Sequence, residues 1–277
     1  MTDTPAQDTP PTAPTPRRRK PPRRVTVTAV SKITPRLVSV TVTGDELDGF
    51  ADAAPTSHMK VLLPPSGSNQ LVLPEQAPDG LVRSHDESLR PVVRTYTPRR
   101  YDPETKTLEI QFVLHGVGPA SEWAERAAVG DEIAVAGPGG RFTLEPTAER
   151  WWMAADESAL PAIGTLLDAL PETASAEVHL EVEGPDDEIE LPSAAKTTVT
   201  WHYRRSATAF GAELADAARD AVIADGTRIW VACDAATMRG IRRHFTRERG
   251  LPGSSLVTRG YWRIGEANHP DHDYGED

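Results

Sequence analysis

The chain has 277 residues, enough for about two domains at roughly 100–200 residues each. Its net charge of −11 argues against nucleic acid as the main partner, and no apolar run approaches the roughly 18–20 residues that a membrane-spanning helix requires. Cys233 is the single cysteine, so we expect neither an intramolecular disulfide nor a cysteine-based metal site, which is typical of a cytoplasmic protein.

Both ends of the chain have the composition of disordered tails. Residues 1–23 are rich in proline and contain most of a basic cluster. A segment of this kind cannot build a core, so we expect a disordered tail in preference to an arm that contacts an anionic surface. Residues 265–277 are acidic and carry His269 and His272. Here too we expect a disordered tail instead of a weak metal site.

Residues 24–146 have the pattern of a small antiparallel barrel. Alternation of β-branched apolar and polar residues predicts six strands, at 24–30, 37–43, 58–63, 92–98, 107–114 and 131–136. A proline in the first turn predicts a helix over 119–128. Residues 64–90 contain proline, glycine and asparagine and predict an insertion loop. Six short strands with one helix near the end fit a six-stranded antiparallel barrel.

From residue 147 onwards predicted strands alternate with predicted helices. The strands are expected at 151–155, 177–183, 197–202, 228–233 and 255–261, and the helices at 158–170, 207–222 and 235–249. This alternation predicts an open parallel sheet with helices on both faces. We therefore expect a β domain followed by an α/β domain at 147–264.

One strand of the predicted barrel carries Arg94, Tyr96 and Thr97, and the strand at 107–114 leads into a glycine-rich helix start at Gly118. Arginine offers a planar fork to a pyrophosphate, and Tyr96 shares its face because strand side chains alternate with period 2. The N–H groups at a helix start can bind phosphate. Together these features predict a barrel that binds a flat dianionic cofactor; the alternative is an ordinary buried hairpin followed by a helix.

The second domain lacks the Gly-x-Gly-x-x-Gly fingerprint of dinucleotide-binding dehydrogenases. In its place, the predicted strand that ends at Ala155 is followed by Asp156 and Glu157, and a helix begins at Ser158. Ligands of open α/β sheets bind at this end of a strand. The two acids also suit a simpler role as helix caps at the positive end of the dipole, and the two roles are compatible.

This order of elements resembles the siderophore-interacting protein family of flavin-dependent ferric-chelate reductases, within the ferredoxin reductase-like superfamily. The resemblance spans residues 24–265 and rests on four motifs, namely Arg94-x-Tyr96-Thr97, residues 112–124, residues 156–163 and Gly260-Tyr-Trp-Arg263. It implies an FAD-binding barrel followed by a nicotinamide-binding α/β domain. It also implies a reductase that passes electrons from NADH or NADPH through FAD to a ferric siderophore and thereby releases Fe(II).

Matched residue by residue, the resemblance implies three groups of contacts. The FAD contacts would be Arg94 at the pyrophosphate, Tyr96 against the isoalloxazine and Thr97 near its N5, together with Thr95, Val113, Leu114, His115, Gly118, Pro119, Ala120, Ser121 and Trp123. The nicotinamide contacts would be Asp156, Glu157, Ser158, Ala159, Leu160, Tyr261 and Trp262. The ferric siderophore would be held by Lys60, Arg141 and Arg263, with Arg99 and Arg100 as competitors for the role of Arg141. The implied reaction is electron transfer, so no catalytic acid or base and no resident metal is expected.

The electron donor and two alternative functions stay open at this point. Glu181 and Glu183 would repel the 2′-phosphate of NADPH, whereas Arg204 and Arg205 would attract it, and a ferredoxin is a third candidate donor. The alternatives are a general flavin or quinone reductase and a siderophore-binding carrier without reductase activity. A neutral acceptor needs no cationic cluster, which favours the ferric chelate. We expect a monomer that contacts neither nucleic acid nor a membrane.

Overall fold

The computed structural model describes residues 21–50, 53–77, 80–82, 84, 86–140, 142–145, 147–204, 209–269 and 273–275. The strands and helix of the first half are β1 (Arg23–Thr34), β2 (Leu37–Thr43), β3 (His58–Leu63), β4 (Glu75–Ala77), β5 (Gly80–Val82), β6 (Val92–Tyr96), β7 (Pro98–Asp102), β8 (Thr107–Val113), α1 (Pro119–Arg126) and β9 (Glu132–Gly139). Those of the second half are β10 (Arg150–Asp156), α2 (Leu160–Ala169), β11 (Ser175–Val182), β12 (Lys196–Tyr203), α3 (Ala212–Asp220), β13 (Arg228–Asp234), α4 (Ala235–Arg243) and β14 (Leu256–Trp262).

The first domain is a seven-stranded antiparallel sheet in the order β6-β3-β9-β1-β2-β8-β7. The prediction of six strands was wrong, because the segment predicted at 92–98 divides at Thr97 and the chain continues as β7. β6 and β7 are the two edges of the sheet, and Thr97 alone separates them along the chain. Since consecutive Cα atoms are about 3.8 Å apart, the sheet must curl until its edges approach each other at Thr97. The enclosed core is apolar and includes Val40, Val61, Ile110, Phe112 and Ile133.

The second domain is a five-stranded parallel sheet in the order β12-β11-β10-β13-β14, which confirms the predicted α/β architecture. Met153 packs with α2 on one face, and its neighbour Trp152 packs with α3 and α4 on the other, because successive strand residues point to opposite faces. Strand order reverses between β10 and β13, and ligands of open α/β sheets bind at such a point. Within the described residues, none of the helices is both long and apolar enough to cross a membrane.

Polar and apolar contacts join the two domains. Leu37 of β2 belongs to the apolar core beneath α2. The guanidinium of Arg36 contacts the buried carboxylate of Asp187 at 2.8 Å. Arg99 of β7 contacts Asp168 of α2 at 2.5 Å. Arg99, weighed in the sequence with Arg100 as a competitor for the siderophore role of Arg141, has a carboxylate partner at the domain interface.

The two chain ends differ in what the structure describes. Residues 1–20 of the predicted N-terminal tail lie outside the described residues. At the other end, the N–H of Gly260 donates to the carbonyl oxygen of Asp273 at 2.8 Å, and the hydroxyl of Thr258 donates to the carbonyl oxygen of Tyr274 at 2.6 Å. This differs from the disordered tail expected from the sequence, since part of the acidic segment lies against the edge strand β14.

Candidate active site

Arg94 and Tyr96 share one face of β6, as the period of the strand predicted. The Tyr96 ring packs on Phe112 with the two centroids 4.4 Å apart, and burial raises the pKa of its phenol. The half-buried guanidinium of Arg94 donates to the carbonyl oxygen of Val93 at 2.9 Å, and no ion pair between Arg94 and a carboxylate is found among the described residues. A cation that none of the described carboxylates neutralises, next to an aromatic surface, fits a pyrophosphate joined to a flat ring.

A glycine-rich turn sets the direction in which α1 begins. Gly116 and Gly118 have φ values of 75° and 92°, in the left-handed region that side chains disfavour. Pro119 then starts α1, and the backbone N–H of His115 donates to the hydroxyl of Ser121 at 3.2 Å. The first N–H groups of a helix have no partner inside it, so this turn provides donors for a phosphate.

The two domains meet where the barrel edges approach each other. Thr97 is buried and lies close enough to the phenol of Tyr261 on β14 to lower its pKa slightly, against the larger effect of burial. Val113 of β8 and Tyr261 both pack against the apolar core of the second domain. Burial raises the pKa of Tyr261 to about 12, so the phenol remains neutral at physiological pH. This contact places the barrel motif directly beside the carboxyl end of the parallel sheet.

Asp156 accepts hydrogen bonds from three elements at this end of the sheet. Its Oδ2 accepts from the indole N–H of Trp262 at 2.7 Å and from the backbone N–H of Asp234 at 3.0 Å. Its Oδ1 accepts from the backbone N–H of Ser158 at 3.0 Å and from the Ser158 hydroxyl. Burial, and next the charge of Glu157, raise the pKa of Asp156 to about 7, against the hydrogen bonds that lower it. The capping role considered in the sequence is therefore present.

Glu157 is paired with a nearly buried cation. Both of its carboxylate oxygens accept from the guanidinium of Arg204, with Nη1 at 2.7 Å from Oε2. Arg204 also lies 3.6 Å from Glu181 and 3.5 Å from Glu183, and its side chain is 7% exposed. This guanidinium already contacts three carboxylates, so its N–H groups are not available to bind the 2′-phosphate of NADPH. Arg205 lies outside the described residues.

The sequence comparisons cover both domains. Residues 26–142 match the family model described as the siderophore-interacting FAD-binding domain, and residues 148–265 match the one described as siderophore-interacting protein. The chain belongs to the siderophore-interacting protein family. The match confirms the resemblance noted in the sequence and identifies FAD as the cofactor of the barrel.

Several relatives of this siderophore-interacting protein carry functional names. The ferric vibriobactin reductase ViuB of Vibrio cholerae is 35% identical over 173 residues, which are 62% of this chain and 63% of ViuB, less than two thirds of that relative. An NADPH-dependent ferric-chelate reductase of Escherichia coli is 29% identical over 243 residues, 87% of this chain and 92% of that protein. The crystal structure of a siderophore utilization protein from T. fusca has a TM-score of 0.81 at 32% identity, covering 92% of this chain and 98% of that one.

The structure defines the surroundings of the three expected siderophore contacts to different degrees. The Nζ of Lys60 donates to the hydroxyl of Thr95 at 2.7 Å, which puts Lys60 beside the Arg94-x-Tyr96-Thr97 motif. Arg263 is 52% exposed and pairs with Glu266 at 2.9 Å on the turn after β14. Arg141 lies outside the described residues. Lys60 is therefore the candidate whose surroundings the structure defines best.

Several other contacts expected from the resemblance are buried in this siderophore-interacting protein. Trp123 is 3% exposed and packs on Phe112 at 5.4 Å between centroids, so it supports the barrel core and offers little surface to a cofactor. Ala159 and Leu160, at the start of α2, are buried in the core of the second domain. The side chains accessible for FAD and nicotinamide are therefore fewer than the resemblance implies.

Val113, Leu114 and His115 follow one another along the chain but have different surroundings. Val113 packs against the core of the second domain, whereas Leu114 packs against that of the barrel. His115 is exposed, and Ala120 and Ser121 are buried. For the last two residues, contact with a phosphate would come from the backbone.

Sequence reasoning missed Asp234 and Phe210. Asp234 caps α4 by accepting the backbone N–H of Ala236 at 3.0 Å and of Thr237 at 3.1 Å. An aspartate directly before a helical segment is an N-cap signal, so this role was readable. Phe210 packs edge-on against Trp262 with the centroids 5.2 Å apart, and no sequence pattern indicated it.

We expect Asp156 to make stability fall as pH rises through about 7. Its folded pKa of about 7 lies above its ordinary value of 3.8, so between these values the folded state binds a proton that the unfolded state has lost. The resulting slope is at most about 1.4 kcal/mol per pH unit. Urea unfolding from about pH 5 to about pH 8 should show the wild type losing stability relative to Asp156→Asn. A difference that stays constant with pH would contradict the raised pKa.

Proposed function

We propose that this protein is a cytoplasmic reductase that passes electrons from NADH or NADPH, through FAD, to a ferric siderophore. The observation that carries the proposal is the packing of Val113, on the barrel, and Tyr261, at the carboxyl end of the parallel sheet, against one apolar core, because it brings the FAD-binding domain to this end of the sheet. The names of the relatives from Vibrio cholerae and Escherichia coli support it. Cys233 is buried and forms no disulfide, which suits a reducing compartment.

The residues at the barrel edge fit the cofactor that the family binds. Bound FAD accepts a hydride and passes electrons on singly. Arg94 supplies charge to the pyrophosphate, and the N–H groups at the start of α1 supply donors. Tyr96 supplies a flat surface, and the ring of Phe112 packs against it. Val113 and Tyr261 pack against one apolar core where the second domain meets this edge.

Binding of a ferric siderophore needs positive charge at the site. Ferric siderophores are often anionic, and the net charge of −11 would otherwise repel them. Lys60 and Arg263 supply cations on the barrel and on the second domain. One electron converts Fe(III) to Fe(II), which hard oxygen donors hold less tightly. Reduction therefore releases the iron from the siderophore.

Lys60→Ala should raise the KM for an anionic ferric siderophore about fivefold, the effect of losing one exposed charge interaction of about 1 kcal/mol. Oxidation of NADH or NADPH with a neutral quinone should change little. Lys196→Ala, an exposed lysine of β12, is the control and should leave both acceptors unaffected. Equal losses with both acceptors would place Lys60 outside the siderophore site.

A spectroscopic titration tests the whole proposal. The purified protein is reduced anaerobically with NADH or NADPH and then given a ferric siderophore and an Fe(II) trap. Flavin absorbance that bleaches and recovers as Fe(II) appears is the expected result. Bleaching without Fe(II) would indicate a general flavin or quinone reductase, and a protein without flavin would indicate a carrier. Bleaching only with reduced ferredoxin would replace the nicotinamide as donor.

A further inference from the structure

A cavity of about 240 Å³ lies at the amino end of the parallel sheet, and we call it the amino-end cavity. Its walls include Arg150, Trp152 and Glu177 on the strands and Val222, Ile223 and Ala224 on the segment between α3 and β13. Trp152 and Asp156 are both on β10, and four residues of a strand span about 13 Å. The cavity is therefore separate from the candidate active site, which lies at the carboxyl end of the same strands.

The amino-end cavity is lined by a buried donor that lacks an acceptor. Trp152 is 1% exposed, and no described atom accepts a hydrogen bond from its indole N–H. Phe245 and His179 pack against its ring, with centroids 5.2 and 5.4 Å away. Nearly all buried polar groups are hydrogen-bonded, because an unsatisfied donor costs stability. A bound molecule could supply the acceptor that this indole lacks.

The mouth of the cavity combines a cation with apolar surface. Arg150 shares one face of β10 with Trp152, because strand side chains alternate, and it is exposed. Within the part of the chain that the structure describes, no hydrogen bond or ion pair is found for its guanidinium. The carboxylate of Glu177, opposite Trp152 on β11, already accepts from Nε2 of His179 at 2.8 Å. Val222 is 89% exposed, so a ligand would also gain an apolar contact.

We propose that the amino-end cavity is a second binding site, and that it takes a small carboxylate whose apolar body is about the size of one ring. The indole N–H of Trp152 and the guanidinium of Arg150 donate to the carboxylate, and the apolar body lies against Val222 and Ile223. An engineered cavity of roughly 150 Å³ binds benzene, so this one has room for a ring with a carboxylate. The inference does not depend on the electron donor or acceptor proposed above.

The test is an NMR titration of the FAD-loaded, ¹⁵N-labelled protein with benzoate, followed through the indole N–H signals. The signal of Trp152 is identified by its loss in Trp152→Phe. It should move saturably with a Kd of about 1 mM, as expected for a ligand of about nine non-hydrogen atoms. Trp230 is the internal control, because its indole N–H also lacks a partner among the described residues but Trp230 does not line the cavity. Its signal should stay in place.

Two variants test the two donors separately. Arg150→Ala should raise the Kd of benzoate about fivefold, the effect of losing one exposed charge interaction. Trp152→Phe should raise it about tenfold, measured by saturation transfer to benzoate, because a hydrogen bond to a charged acceptor is lost. Arg219→Ala, at an exposed arginine of α3, and Trp201→Phe, at a half-buried tryptophan of β12, are the matched controls and should leave the Kd unaltered.

Two further probes define the class of ligand. Benzamide keeps the ring and an acceptor but has no charge, so its Kd should be about fivefold higher than that of benzoate. Acetate keeps the carboxylate without the ring, so it should not saturate the Trp152 signal below about 50 mM.

Each outcome either supports the site or overturns it. A saturable shift of the Trp152 signal that Arg150→Ala weakens would support it. A Trp152 signal that does not move in about 50 mM benzoate would overturn the site. Benzoate that moves the signal of Trp262 instead would place binding at the carboxyl end of the sheet and would also overturn it. Equal Kd values for benzoate and benzamide, unaltered in Arg150→Ala, would overturn the carboxylate as the class of ligand.

Discussion

Replacing Arg94 with alanine is expected to weaken FAD binding about 10- to 100-fold, because a charge-assisted hydrogen bond to phosphate contributes about 1.5–3 kcal/mol. The guanidinium is half-buried beside Tyr96, and it donates to the carbonyl oxygen of Val93. No carboxylate there competes with a phosphate for its charge. The side chain is thus poised for an anion and contributes little else to the barrel.

The measurement for Arg94→Ala is the Kd of FAD, obtained by titrating deflavinated protein and following flavin fluorescence. Arg219→Ala is the control, since Arg219 is an exposed arginine of α3. Unfolding midpoints of both apoproteins check that the barrel persists. A variant that retains FAD as tightly as the wild type would remove Arg94 from the pyrophosphate site.

Gly211→Ala should cost about 2–5 kcal/mol of unfolding free energy, the sum of two separate effects. Gly211 has a φ of 75°, where a side chain costs about 1–2 kcal/mol. A Cβ at this position would also lie 2.1 Å from the hydroxyl oxygen of Thr237, an overlap that adds about 1–3 kcal/mol. The backbone there cannot shift freely, because the Gly211 N–H donates to buried Glu181 at 2.8 Å.

Two other glycines separate these effects in the same denaturant experiment. Gly226 has a φ of 79° and no atom within 4 Å of an added Cβ, so Gly226→Ala should show the backbone cost alone. Gly184 has an extended backbone and equally open surroundings, so Gly184→Ala should be nearly neutral. If Gly211→Ala loses no more stability than Gly226→Ala, the overlap with Thr237 adds nothing to the cost of the substitution.

The sequence predicts the fold well where local periodicity determines it. Strand alternation placed Arg94 and Tyr96 on one face, and the regular succession of strands and helices predicted the parallel sheet. The seventh strand was missed because the chain leaves one edge of the sheet at Thr97 and continues as the other edge. Local composition does not encode such a change. Helix ends were also less predictable, since α4 stops at Arg243 and a π-helical turn follows it.

The active site depends on contacts that are distant in sequence. The hydrogen bond between Asp156 and Trp262 joins residues 106 positions apart, and it reaches past β13, which lies between their strands. Arg204 looked like a phosphate ligand from its charge alone, and its partner Glu157 is 47 positions away. Charge is readable from the sequence, whereas its neutralisation by a partner is a property of the folded chain.

The contact between the C-terminal segment and β14 affects how the protein should be prepared. Asp273 accepts the N–H of Gly260, the residue directly before Tyr261. A polyhistidine tag fused after residue 277 would start within a few residues of this contact and bring imidazoles, which bind iron, close to the proposed siderophore site. It would also pull on the strand that carries Trp262. Tags for iron-release assays therefore belong at the N-terminus, ahead of β1, with a protease site for their removal.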